Sequence, residues 1–217
     1  VVVDAINVLT AAQQAGYYPV VPQQGSLTLQ GREADLLLAN YQFDGQQLMY
    51  STSQLMTHAT IGGTAVALLY GDAGTDGETV LRYTSQPTVN VLSGTVQSTW
   101  DPTRGDLRLD YTHQGLAEVR ISGGGTPPLL LLIADTNTAE GFWPETTQAG
   151  PVLVSGGYLV RTASTFGPVL ALTGDTSQPG PLTVWAPSGI RYVTWNGQPV
   201  HVSTGQDGSL QLSLIHI

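Results

Sequence analysis

The sequence predicts an all-β chain: an antiparallel β-sandwich followed by a second, partial and Greek-key-like β-sandwich. Three observations predict it. Asp44-Gly45, Asn196-Gly197 and Asp207-Gly208 each interrupt runs of β-formers, and such pairs favour the two-residue hairpin turns that need positive φ. Short alternating segments recur at roughly ten-residue intervals, the spacing of a sandwich or barrel. Charged residues make up only 11% of the 217, while Gly numbers 26, which suits sheets with tight turns better than helical bundles.

Taken in order, Asp4 to Gly16 predicts a short helix capped by Asp4, with Val1 to Val3 as a strand end in the competing reading. Tyr17 to Gln24 reads as an extended linker, because Pro19 and Pro22 push their predecessors out of the helical region. Ser26 to Leu29 alternates as a strand. At the Asp44-Gly45 hairpin, Leu37, Ala39, Tyr41 and Phe43 are expected on one face, answered by Leu48, Tyr50 and Thr52. Ala65 to Tyr70 and Leu129 to Ile133 are apolar runs of the kind that fill a sheet centre. Thr79 to Thr84 and Thr88 to Leu92 alternate. After the Arg104-Gly105 turn, Asp106 to Thr112 is expected to pair with Ala117 to Ile121 across His113-Gln114-Gly115. Beyond the Gly156-Gly157 break, Val160 to Val202 supplies about four strands, an incomplete sheet with an open edge and an uncovered face.

The expected division is 1–25 as a linker or the end of a preceding domain, 26–157 as the large sandwich, 158–211 as the partial one, and 212–217 as a scar. Those last residues, LSLIHI, also spell one reading frame of a transposase adapter used in sequencing libraries, so His216 is set aside; a genuine strand is the alternative. The chain opens Val-Val-Val without Met or a basic leader region, and both ends are read as cuts.

The formal charge is −9 and all seven basic residues are Arg. An acidic surface repels phosphate backbones and anionic leaflets, so no nucleic acid and no membrane is expected as partner. Leu129 to Ala134, the longest purely apolar run, is far too short to span a bilayer. Cys is absent, which removes disulfides, thiolate metal sites and a Cys nucleophile. The compartment stays open, a secreted or periplasmic parent being compatible.

Candidate sites are few. Asp72, Asp76 and Glu78 offer hard oxygens, yet lack the spacing of a calcium loop. His58, His113 and His201 lack zinc-site spacing. Asp135, Glu140 and Glu145 gather near Trp143 like a sugar site with a carboxylate pair, although glycoside hydrolysis needs two carboxyls facing one bond. Ser51 and Ser53 sit in no G-x-S-x-G elbow, and Gly123 to Gly125 precedes no helix that would complete a phosphate loop. Trp100, Trp143, Trp185 and Trp195 provide the basis of a sugar-stacking platform if exposed, and of a core if buried, three of the four being expected inside. No catalytic, metal or cofactor residue is assigned, and no cofactor is expected.

Five segments carry a resemblance: Ser26 to Glu33 (SLTLQGRE), Leu48 to Thr57 (LMYSTSQLMT), Val66 to Gly71 (VALLYG) with Gly77-Glu78, Leu131 to Trp143 (LLIADTNTAEGFW), and Tyr158 to Ala163 with Ala186 to Gly197 (YLVRTA, APSGIRYVTWNG). In this order they resemble the second domain and the start of the third domain of large family-35 β-galactosidases. Gln54 stands where the family motif has an acid. The resemblance implies a non-catalytic, structural portion whose parent hydrolyses terminal β-D-galactosides. Both catalytic glutamates would lie in a (β/α)₈ barrel, the implied partner within the same parent chain. The rival reading is a free-standing carbohydrate-binding β-sandwich module.

Overall fold

The computed structural model describes residues 2–4, 26–28, 38–176 and 180–213. The helix expected from Asp4 onward, the linker at Tyr17 to Gln24 and residues 214–217 lie outside them, save for Asp4 itself, which is in a strand. In chain order the strands begin with β1 (Val2–Asp4), β2 (Ser26–Thr28), β3 (Leu38–Phe43), β4 (Gln46–Ser51), β5 (Gln54–Ile61), β6 (Thr64–Gly71) and β7 (Asp76–Arg82). Next come β8 (Thr88–Ser93), β9 (Val96–Asp101), β10 (Asp106–Thr112), β11 (Leu116–Ser122), β12 (Leu129–Asp135), the single-turn helix α1 (Thr136–Ala139), β13 (Phe142–Thr147) and β14 (Gly150–Ser155). The chain continues through β15 (Leu159–Phe166), β16 (Val169–Asp175), β17 (Pro181–Trp185), β18 (Tyr192–Trp195), β19 (Gln198–Thr204) and β20 (Leu210–Ser213).

β1 and β2 form a small pair, and the other strands form three sheets: β3-β4-β7-β10-β9, β5-β6-β12-β11-β8, and β13-β14-β17-β20-β19-β18-β16-β15. All neighbours are antiparallel except β12 with β6 and β16 with β18. The Asp44-Gly45 hairpin forms as expected, with φ of 46° and 78° and Phe43 opposite Gln46. Asn196-Gly197 repeats it at 51° and 81°, with Trp195 opposite Gln198. Asp207-Gly208 differs. It lies inside a longer loop closed by Gly205 N–H to Ser209 O, because Asp207 folds its carboxylate back onto Ser209 and so makes a local turn of its own.

The first two sheets are the two layers of a sandwich. The chain changes layer at each crossing, which corrects the pairing expected for β10 and β11. β11 pairs with β12 and β8 in the second sheet, while β10 stays in the first. Alternation reveals which face is apolar, not which sheet a strand joins. The expected face of β4 also changes. A register shift between Leu48 and Tyr50 leaves Met49 as an extra residue, and such a bulge reverses the facing of the residues beyond it. Leu48 stays in the core, while Tyr50 lies beside Glu78 and Arg108.

The second sheet is covered on both faces. Ala65, Ala67, Leu69, Leu129, Leu131 and Ile133 point into the sandwich core with Leu81, Leu107 and Leu109. Their alternates Val66, Leu68, Leu130, Leu132 and Ala134 pack instead against Phe142, Leu153 and Trp185. This explains why β6 and β12 read as unbroken apolar runs and why they pair parallel, as doubly buried strands do.

The later sheet holds eight strands: the region from Val160 to Val202 supplies five, β15 to β19, where four were expected, and β13, β14 and β20 join them. It curls around a third core of Val152, Val154, Leu170, Leu172, Leu182, Val184, Val193 and Trp195. Its end strands β13 and β15 lie side by side. Leu212, on β20, is 1% exposed within that core, so the described part of the 212–217 stretch is strand.

Candidate functional site

The corner between β4 and β5 gathers the most buried polar side chains. Here Ser51, Thr52 and Ser53 carry the chain from one sheet to the other, and Thr52 exchanges bonds with the Glu78 backbone at 3.0 and 2.9 Å. Ser53 Oγ lies 2.7 Å from Tyr111 Oη and 2.9 Å from His113 Nε2; Tyr111 Oη lies 2.7 Å from Thr79 Oγ1, which is 3.0 Å from Ser51 Oγ. The Thr75 carbonyl, 3.0 Å from His113 Nδ1, can only accept, so Nδ1 carries the proton and Nε2 accepts from Ser53. A Ser–His contact of this length resembles a nucleophile and its base. Ser53 and His113 are nevertheless buried, at 1% and 2% exposure, and among the described residues neither lines any of the four main cavities. Burial pushes the His113 imidazole below its ordinary value, only partly opposed by the Thr75 carbonyl. Gly71 and Gly77 make room for these rings, since a Cβ at Gly77 would stand 2.2 Å from Tyr111 Cε2. Tyr111 and Thr52 border an open cavity of about 930 Å³, which Ser53 and His113 do not line; the Ser–His pair itself joins the layers.

The remaining candidates disperse. Asp76 accepts from Thr112, Asp72 from Thr136, and Glu78 pairs with Arg108 at 2.7 Å. Burial pushes the Glu78 carboxyl up against the pull of Arg108. Among the described residues no three His, Asp or Glu side chains come together as metal ligands. His58 bridges Tyr41 and Asp44, clipping the β3–β4 hairpin to β5, and His201 is exposed. Asp135 caps α1, accepting from Thr138 N–H and Gly115 N–H at 2.7 Å each; these bonds hold its carboxyl below the ordinary value. Glu140 is exposed and Glu145 lies on β13. Gly123 to Gly125 all take positive φ and turn against Thr84, which donates to Gly124 O. Trp185 and Trp195 are buried, while Trp100 and Trp143 are half-buried against the cores. None of the four is exposed, so they form no open platform.

The arrangement missed from sequence is the joint between the second sheet and the later one. Phe142 and Trp185 stack there with centroids 5.8 Å apart. Beside them lies a cleft of about 410 Å³, walled by Val66 and Leu130 on the second sheet and by Trp185, Ile190, Asp207 and Arg120 around it. Its parts come from positions far apart in sequence, and no local motif announces it.

Comparison with known proteins places this architecture. The family described as "Beta-galactosidase, domain 2" matches residues 6–142, and "Beta-galactosidase, domain 3" matches residues 131–211. A probable beta-galactosidase B of Aspergillus terreus is 31% identical over 202 residues, covering 89% of this chain and 20% of its own. Those of Talaromyces marneffei and Penicillium rubens are 28% and 27% identical, each covering 92% of this chain. The chain thus spans about a fifth of the length of the curated relatives it matches, 20% or 21% in these three.

Proposed function

The chain belongs to the β-galactosidase family through its second and third domains, and from this we propose that it serves as the frame of a longer enzyme hydrolysing terminal β-D-galactosides. In that enzyme a separate catalytic barrel supplies both carboxylates, which a retaining or inverting glycosidase needs on either side of the bond. This portion packs against the barrel and holds the later domains in place. The observation that carries the reading is the second sheet, whose alternate residues fill two different cores. A sheet shared in this way joins two units without a hinge, whereas units meeting through a small polar interface move relative to one another. On this reading the domain junction lies at α1, ahead of residue 158, and the membership of β13 and β14 in the later sheet supports it.

A chimaera tests this. The matching segment of the Aspergillus terreus relative is replaced by residues 1–211, and hydrolysis of a chromogenic β-galactoside is measured. The expected outcome is a folded, active chimaera, with no hydrolysis by the isolated chain. Hydrolysis by the isolated chain, lost in its Glu140→Gln, Glu145→Gln double variant, would overturn the proposal.

A further inference from the structure

We infer that the cleft at the joint between the two units is a binding site for an uncharged vicinal diol, that is, a hexopyranose or one sugar unit of a glycan. The volume of about 410 Å³ lies within the range of small-ligand pockets. A guanidinium and a carboxylate, those of Arg120 and Asp207, line this one space. Neither forms an ion pair with the other or with any further side chain among the described residues.

Both groups are held in place. Asp207 Oδ2 accepts from Trp185 Nε1–H at 2.5 Å, and Oδ1 accepts from Ser209 N–H at 3.1 Å and from Ser209 Oγ–H at 2.6 Å. A carboxylate oxygen accepts two bonds, so Oδ2 keeps capacity for a further donor. Arg120 Nη2 donates to Gln206 O at 3.3 Å, and among the described residues most of its five N–H groups are left unspent. A vicinal diol needs such a pair: one hydroxyl oxygen accepts from the fork while its neighbour's O–H donates to the acid. Val66, Leu130 and Ile190 supply the apolar wall for the C–H face of the ring. Glu118 lies close enough to feel the Asp207 charge, and two acids beside one Arg select against an anionic ligand. The site needs no catalytic barrel and is independent of the role as a frame.

The test monitors the Trp185 indole N–H resonance of the 217-residue chain during titration with D-galactose. It is expected to shift saturably, and D-galacturonate is expected to bind more weakly. Arg120→Ala should weaken galactose binding about tenfold, the loss of one charge-assisted bond. Ser188→Trp, which fills the cleft from its exposed rim, should abolish the shift, and this variant decides the matter if Arg120→Ala fails to fold. An unmoved Trp185 signal would overturn the inference, as would equal affinity in the folded variants or tighter binding of galacturonate.

Discussion

Ser53 Oγ meets His113 Nε2 at 2.9 Å across sixty residues of sequence, inside a relay that runs from Ser51 to the Thr75 carbonyl. Every hydroxyl in the relay is both donor and acceptor, so removing one member leaves two others short. Ser53→Ala should cost about 1–3 kcal/mol, the range for a buried polar group left unpaired. The midpoint of urea unfolding checks it.

The same relay predicts a pH dependence. His113 is held neutral by burial, its folded value lying below the ordinary one, so protonation favours the unfolded chain. Its contribution is complete above about pH 6.5 and is lost as pH falls below that value. Glu78 and Glu118, whose carboxyls are raised by burial, act in the opposite sense, losing stability as pH rises above about 4.5. They cancel in a comparison of the parent with His113→Gln. The stability difference between these two should shrink as pH falls below about 6.5, measured by urea unfolding at a series of pH values. A constant difference would contradict the buried neutral imidazole.

Gly45→Val should destabilise the first sheet. Positive φ alone costs a branched residue about 1–2 kcal/mol or more, and a Cβ at Gly45 would stand 2.9 Å from Pro127 Cγ. Gly197→Val meets no such neighbour, so its loss should be the smaller of the two. Urea midpoints rank them.

Leu132→Ala tests the shared sheet. Leu132 is fully buried in the core between the two units, and its truncation should cost about 2–5 kcal/mol. Amide hydrogen exchange should quicken both in β10 and in β17, strands of different sheets, if the units open together. Faster exchange confined to one of them would show that the units unfold separately.

The sequence revealed what depends on single dipeptides and on runs. Two-residue turns at Asp44-Gly45 and Asn196-Gly197 were legible because few residues accept positive φ in succession. The central strands β6 and β12 were legible as apolar runs. The bulge at Met49 was not, since one inserted residue leaves the surrounding alternation intact while reversing its sense. The assignment of β10 and β11 to different sheets was equally hidden, because pairing partners are chosen in three dimensions. Site chemistry was least legible: Arg120 and Asp207 are brought to one cleft only by the stacking of whole sheets.

The two ends of the eight-stranded sheet face each other, and side chains occupy the main chain there. Ala149 N–H donates to Thr165 Oγ1 at 3.0 Å, and Thr165 N–H donates to Gln148 Oε1 at 3.1 Å. A row of vacant amides at a sheet edge is what lets one molecule add its strand to another, the first step toward fibres. Along this seam the amides of Ala149 and Thr165 already have side-chain partners. A neighbour's strand approaching at Ala149 or Thr165 therefore finds those two amides already taken by side chains of the same molecule.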